Sequence, residues 1–115
     1  MLNSYCFFNT VGEWGGGERW HYDMALYLRS KGHRVMVITQ PGAVLGERVK
    51  KEGISVFTIV LKNLSVLNPF VLLKLANVYR THAIDTVVLN LSRDLKCGGI
   101  SAKMAGVKNI IFTNL

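Results

Sequence analysis

Residues 4–39 read SYCFFNTVGEWGGGERWHYDMALYLRSKGHRVMVIT, and this stretch decides the fold. It opens with a β-rich apolar run, Ser4–Phe8, whose core Cys6-Phe7-Phe8 is continuous rather than alternating. It closes with another, Arg34–Thr39, built on Val35-Met36-Val37-Ile38. Continuous runs of this kind belong to strands covered on both faces, which points to a parallel sheet. Between them Trp20, Met24, Tyr27 and Leu28 recur at i, i+4, i+7 and i+8, the stripe of a helix that leaves Glu18, Arg29 and Lys31 to water. Lys31-Gly32 supplies the basic last turn and left-handed cap that end such a helix. Strand, helix and strand make one crossover unit, as parallel pairing requires.

The same alternation continues to the C-terminus. Further strands are predicted at Ile54–Val60, Thr86–Asn90 and Lys108–Thr113. A short charged helix is predicted over about Leu45–Glu52, stopped by Gly53. A third opens at Asn68-Pro69, with Asn as N-cap and Pro at the first helical position, and runs to about Thr81. The fourth starts near Asp94 and ends at Gly106, crossing a Gly98-Gly99 pair that costs about 1 kcal/mol per glycine. Right-handed crossovers then give an α/β, Rossmann-like, doubly wound parallel sheet of five strands in the order 3-2-1-4-5, one domain over residues 1–115.

Half of the 115 residues are apolar and the formal net charge is +7. That composition excludes a disordered chain. No apolar run approaches the roughly 20 residues that span a bilayer, and the N-terminus lacks the layout of a signal peptide. Cys6 and Cys97 stand apart without C-x-x-C or Cys/His ligand spacing, so two reduced buried thiols in a cytoplasmic protein are expected, with no metal site. Basic residues such as Lys50, Lys51, Lys96 and Lys103 are scattered, without the aromatic-interleaved stripe of a nucleic-acid site. Leu64–Leu75 beside Lys62 and Lys74 is the stretch suited to peripheral contact with an anionic membrane surface, the alternative being a solvated basic surface without a partner.

In a doubly wound sheet, ligands bind beyond the carboxyl ends of the strands where the strand order reverses. Here that crevice falls between strands 1 and 4, bounded by Thr10–Gly17 and Leu91–Asp94. Gly15-Gly16-Gly17 at a helix N-terminus leave backbone N–H groups open to an anion, phosphate or diphosphate by preference. A turn that needs positive φ would use the same residues, and both readings stand at this level. A Walker loop is excluded by the missing Gly-Lys-Ser/Thr. A dinucleotide fingerprint is excluded by Trp20 and Gln40, which stand where a third glycine and a ribose-binding acid belong. Across the crevice, Asn90, Ser92 and Arg93 offer an amide, a hydroxyl and a guanidinium suited to sugar hydroxyls and anions. Asp94 or Ser92 is expected to cap the fourth helix. His21 is expected on a helix surface, His33 at the far end of the sheet, and His82 as a helix cap.

The opening strand, then Gly-Glu-Trp-Gly-Gly-Gly-Glu-Arg (12–19) and Leu-Arg-Ser-Lys-Gly-His-Arg-Val (28–35), resembles the N-terminal domain of family-4 glycosyltransferases of the GT-B fold. Gly-Ile-x-Val (53–56) and Ile-Asp-x-Val (84–87) fit the same pattern. The resemblance implies transfer of a sugar from a nucleotide-diphosphate donor to a glycan or lipid-linked acceptor, with retention and without metal or further cofactor. By analogy Gly15, Gly16 and Gly17 contact the donor diphosphate, while Glu18, Asn90, Ser92 and Arg93 form the acceptor side. Asn114 stands where many relatives carry a histidine near the reacting sugar; it can hydrogen-bond a hydroxyl but cannot exchange a proton at neutral pH. The resemblance also implies a partial domain, whose partner is a second, nucleotide-sugar-binding domain of the same protein. A fragment of that kind has apolar surface through which to form a homodimer. Work on polysaccharides of the cell envelope, at the inner face of the membrane, is the implied setting. The alternative is a non-catalytic module that binds an anionic phosphosugar in the same crevice.

Overall fold

The computed structural model describes residues 3–62 and 65–113. Its centre is a five-stranded, all-parallel sheet in the order β3-β2-β1-β4-β5, with β1 Ser4–Phe8, β2 Arg34–Thr39, β3 Ser55–Thr58, β4 Thr86–Leu89 and β5 Asn109–Phe112. The order is the one the sequence predicts. In register, Phe7 pairs with Val37 on one side and Val88 on the other.

Alternate residues of each strand feed two cores. Cys6, Phe8, Ile38, Val87 and Leu89 point to one face, where Leu75 and Tyr79 of α3 (Pro69–Thr81) and Ala102 of α5 (Ile100–Ala105) close over them. Phe7, Val37 and Val88 point to the other, under Ala25 of α1 (Gly16–Ser30) and Leu45 and Val49 of α2 (Val44–Lys51). Burial on both faces is why the central strands read as unbroken apolar runs. Asn68 caps α3 as predicted, its Oδ1 accepting the Phe70 N–H at 3.0 Å. Cys6 and Cys97 are both buried.

Three local expectations are corrected. The stripe of α1 that faces the sheet is Gly17, Glu18, His21 and Ala25. Tyr27 is 54% exposed, whereas Glu18 is 6% exposed and His21 is fully buried. Trp20, Met24 and Leu28 pack half-buried against the same core. The expected fourth helix is also interrupted: α4 (Ser92–Asp94) leads into a π-helical segment, Leu95–Gly99, before α5. The glycine pair lies in this segment and permits close packing there, since a Cβ at Gly98 would lie 2.6 Å from Leu89 Cδ2 and 3.2 Å from the Phe8 ring. Carbonyls in this segment are taken up by side chains, with Ser101 Oγ donating to Cys97 O at 2.6 Å and Tyr79 OH to Gly98 O at 3.3 Å. Finally, neither Asp94 nor Ser92 caps that region; Leu91 stands at the N-cap without a side-chain bond.

Candidate functional site

The two loops singled out from the sequence meet at the carboxyl ends of β1 and β4. Gly17, in the first turn of α1, lies against Asn90: a Cβ at position 17 would sit 2.2 Å from Asn90 Nδ2. Gly16 is different, exposed and with nothing within 4 Å of where its Cβ would be. Positive φ among glycines is confined to Gly32, Gly42, Gly53 and Gly106. The triplet is therefore not a turn that needs left-handed backbone, which removes one of the two readings the sequence leaves open. What it does is bring α1 close to β4 at Gly17 and keep the helix mouth open at Gly16. The first N–H groups of any helix lack intrahelical acceptors. Those of α1 open beside the crevice, and the first intrahelical bond here is Arg19 N–H to Gly15 O at 3.0 Å.

A polar network behind the loop fixes its shape. Asn9, directly after β1, accepts the Val11 N–H on Oδ1 at 3.0 Å, which orients its amide. Its Nδ2 then faces Glu18 Oε2 at 3.0 Å and His21 Nδ1 at 3.2 Å. An amide nitrogen only donates, so His21 Nδ1 accepts and the neutral ring holds its proton on Nε2. That Nε2 is buried and has no partner among the described residues. Burial lowers the His21 pKa to about 4, so the ring is neutral near pH 7. On the other wall, Asp94 is fully buried and accepts both the Thr10 N–H at 2.9 Å and the Thr10 hydroxyl at 2.6 Å. This pair ties the first loop to α4 across the crevice.

Of the predicted site residues, Gly15, Gly16, Gly17, Glu18 and Asn90 come together here, and Ser92 is exposed at the start of α4. Asn90 is 9% exposed, and its Oδ1 lies 3.4 Å from Thr113 Oγ1. Asn114 and the side chain of Arg93 lie outside the described residues. Sequence reasoning missed Asn9, Thr10, Asp94 and His21. Asn9 and Thr10 carry a signal, two polar residues directly after a strand that leads to the crevice. His21 is readable only by its i, i+3 spacing from Glu18, which puts both on the face that meets Asn9. Among the described residues no group of three or more His, Cys, Asp or Glu could hold a metal ion. A concavity of about 450 Å³ lies between α2 and β3.

A parallel five-stranded sheet with an open helix mouth at its strand-order switch defines a Rossmann-like domain of the kind found in GT-B glycosyltransferases. Residues 14–114 match the family model of Glycosyltransferase Family 4, and the chain belongs to that family. Among solved structures, a glycosyltransferase from Rickettsia africae ESF-5 is similar at TM-score 0.78 and 21% identity, over 96% of this chain and 29% of that one. MurG from Acinetobacter baumannii is similar at TM-score 0.70 and 18% identity, over 96% of this chain and 35% of that one. The C-terminal domain of a hydrogenase from Pyrococcus furiosus reaches TM-score 0.68 at 14% identity, over 96% and 91%. At these identities the likeness is one of fold alone. No curated protein sequence matches the chain significantly. The chain spans about a third of the first two structures.

Proposed function

We propose that this chain forms the acceptor-side part of a retaining glycosyltransferase that uses a nucleotide-diphosphate sugar and a glycan or lipid-linked acceptor. The observation that carries the reading is Gly16, whose glycine is demanded neither by backbone conformation nor by packing, yet which leaves the mouth of a fifteen-residue helix unobstructed. In this reading Gly15–Gly17 receive the donor diphosphate. When the bond from the anomeric carbon to the diphosphate breaks, the electron pair stays on the diphosphate, and the oriented N–H groups of α1 stabilise that charge. Asn90, Ser92 and Arg93 hold acceptor hydroxyls, and Asn114 hydrogen-bonds the reacting sugar without exchanging a proton. Glu18 serves the same side through Asn9, as its burial suits it to hold the loop rather than face a ligand. A second, nucleotide-binding domain of the same protein closes the crevice, and no metal or cofactor takes part.

Transfer assays on the protein that carries this chain test the reading. Gly16→Asp is expected to abolish transfer by crowding and like-charge repulsion at the diphosphate. Full activity in that variant would remove the glycine loop from the site, and binding without turnover would leave a phosphosugar-binding module.

A second observation supports a place at a membrane surface. No helix among the described residues is long and apolar enough to cross a membrane. Val60, Leu67, Phe70 and Leu73 are nonetheless exposed, Phe70 by 80%, beside Lys62 and Lys74. Apolar side chains among cations suit an anionic bilayer surface. Sedimentation with anionic vesicles, lost when Phe70 and Lys74 become Ser and Gln, is the expected result; no sedimentation at low salt would end this part of the proposal.

A further inference from the structure

At the end of the sheet opposite the crevice, where β2 and β3 begin, lies a pocket of about 310 Å³. Arg29, His33, Arg34 and His82 line it, with Met36 and Ile84 among its apolar wall. Hydrogen bonds fix what each ring presents. His33 Nδ1 accepts the Asn3 N–H at 3.0 Å, so its neutral ring carries the proton on Nε2 as a donor. His82 is the reverse: its Nδ1 lies 2.9 Å from the Val78 carbonyl, which can only accept, leaving Nε2 as an acceptor in the neutral ring. Arg29 gives an N–H from Nη1 to the Glu52 carbonyl and keeps its other donors. Arg34 has no hydrogen-bond or ion-pair partner among the described residues through its side chain.

Helix dipoles account for part of this arrangement, because Arg29 lies in the last turn of α1 and His82 caps α3. They do not account for His33 and Arg34, which stand at the entry to β2. Of the two carboxylates at this end, Asp85 is engaged by the Ser4 N–H at 2.8 Å and the Thr86 hydroxyl at 3.0 Å, and Glu52, whose carbonyl Arg29 meets, is exposed. Two planar guanidiniums and an imidazole N–H form a donor set for a tetrahedral oxyanion. His82 borders the same space and completes its polar lining.

We propose that this pocket binds a phosphate group, free or carried on a small organic molecule, between Arg29, Arg34 and His33, with His82 at its border. The site is remote from the glycine loop and stands or falls independently of sugar transfer. Residue-resolved amide NMR of the 115-residue chain tests it, with inorganic phosphate and glycerol 3-phosphate as probes and chloride at equal ionic strength as control. Saturable shifts at Arg34, Val35, Ser55 and Ile84, unaffected by Gly16→Asp, are expected. Arg34→Gln should raise the Kd about tenfold without lowering Tm; His33→Gln is the second variant, should the first fail to fold. Tighter binding of the ester assigns the pocket to a phosphorylated metabolite, and equal affinity assigns it to free phosphate. Shifts that grow linearly into tens of millimolar, that chloride reproduces, or that both variants leave unchanged would overturn the proposal.

Discussion

Two adjacent glycines should respond to alanine with opposite signs. Gly16 and Gly17 both stand in the first turn of α1 and neither has positive φ. Alanine is favoured over glycine within a helix by roughly 0.5–1 kcal/mol. At Gly16 a Cβ meets nothing within 4 Å, so the propensity alone acts and Gly16→Ala should be stabilising by about 0.5 kcal/mol. At Gly17 the new Cβ would stand 2.2 Å from Asn90 Nδ2 and 3.2 Å from Asn90 Cγ. Ordinary contact begins near 3.4 Å, so the amide must retreat by more than an ångström. Asn90 is nearly buried and its Oδ1 meets Thr113 Oγ1, so retreat breaks that bond and presses on neighbouring chain. Overpacking costs roughly 1–3 kcal/mol and exceeds the gain in propensity. Gly17→Ala should therefore lose about 1–2 kcal/mol, a Tm lower by roughly 5–10 °C in a domain of this size. Urea unfolding with an unchanged m-value is the assay. Adding Asn90→Ala should recover most of the loss. A Gly17→Ala protein as stable as the parent would refute the close approach on which the crevice is built.

Other consequences are equally direct. His21 is held neutral by burial, its pKa lowered from 6.5 to about 4, while the unfolded chain takes up a proton near 6.5. Its contribution is therefore complete above pH 6.5 and is lost as pH falls towards 4, by about 3 kcal/mol in total; His21→Leu should flatten that part of the pH–stability curve. Asp94→Asn should cost roughly 1.5–3 kcal/mol by weakening two bonds to Thr10, and a cycle with Thr10→Val should show the two positions coupled. Gly98→Ala, with its Cβ 2.6 Å from Leu89 Cδ2, should cost roughly 1–3 kcal/mol in the same denaturation assay.

Much of this fold was written plainly in the chain. The apolar runs around Phe7, Val37 and Val88 are continuous because helices cover both faces, and that continuity alone predicts parallel pairing. Asn68-Pro69 announced α3 because cap chemistry is local. The face of α1 was misread because its sheet-facing stripe carries Glu18 and His21, and periodicity weighs hydrophobicity, not burial. Their burial depends on Asn9, a contact between elements that no local pattern encodes. Asp94 looked like a cap for the same reason: its partner, Thr10, is 84 residues away in sequence. The glycine triplet was legible as a candidate site, but only coordinates separate a glycine needed for φ from one needed for open space.

The central claim is that the mouth of α1 receives a diphosphate, and an amide NMR titration of this chain with pyrophosphate tests it most directly. Saturable shifts at Gly16, Gly17 and Glu18, spreading to Asn90 and Ser92 and abolished by Gly16→Asp, are predicted. Saturable binding that leaves those amides unmoved, or that Gly16→Asp does not weaken, would contradict it.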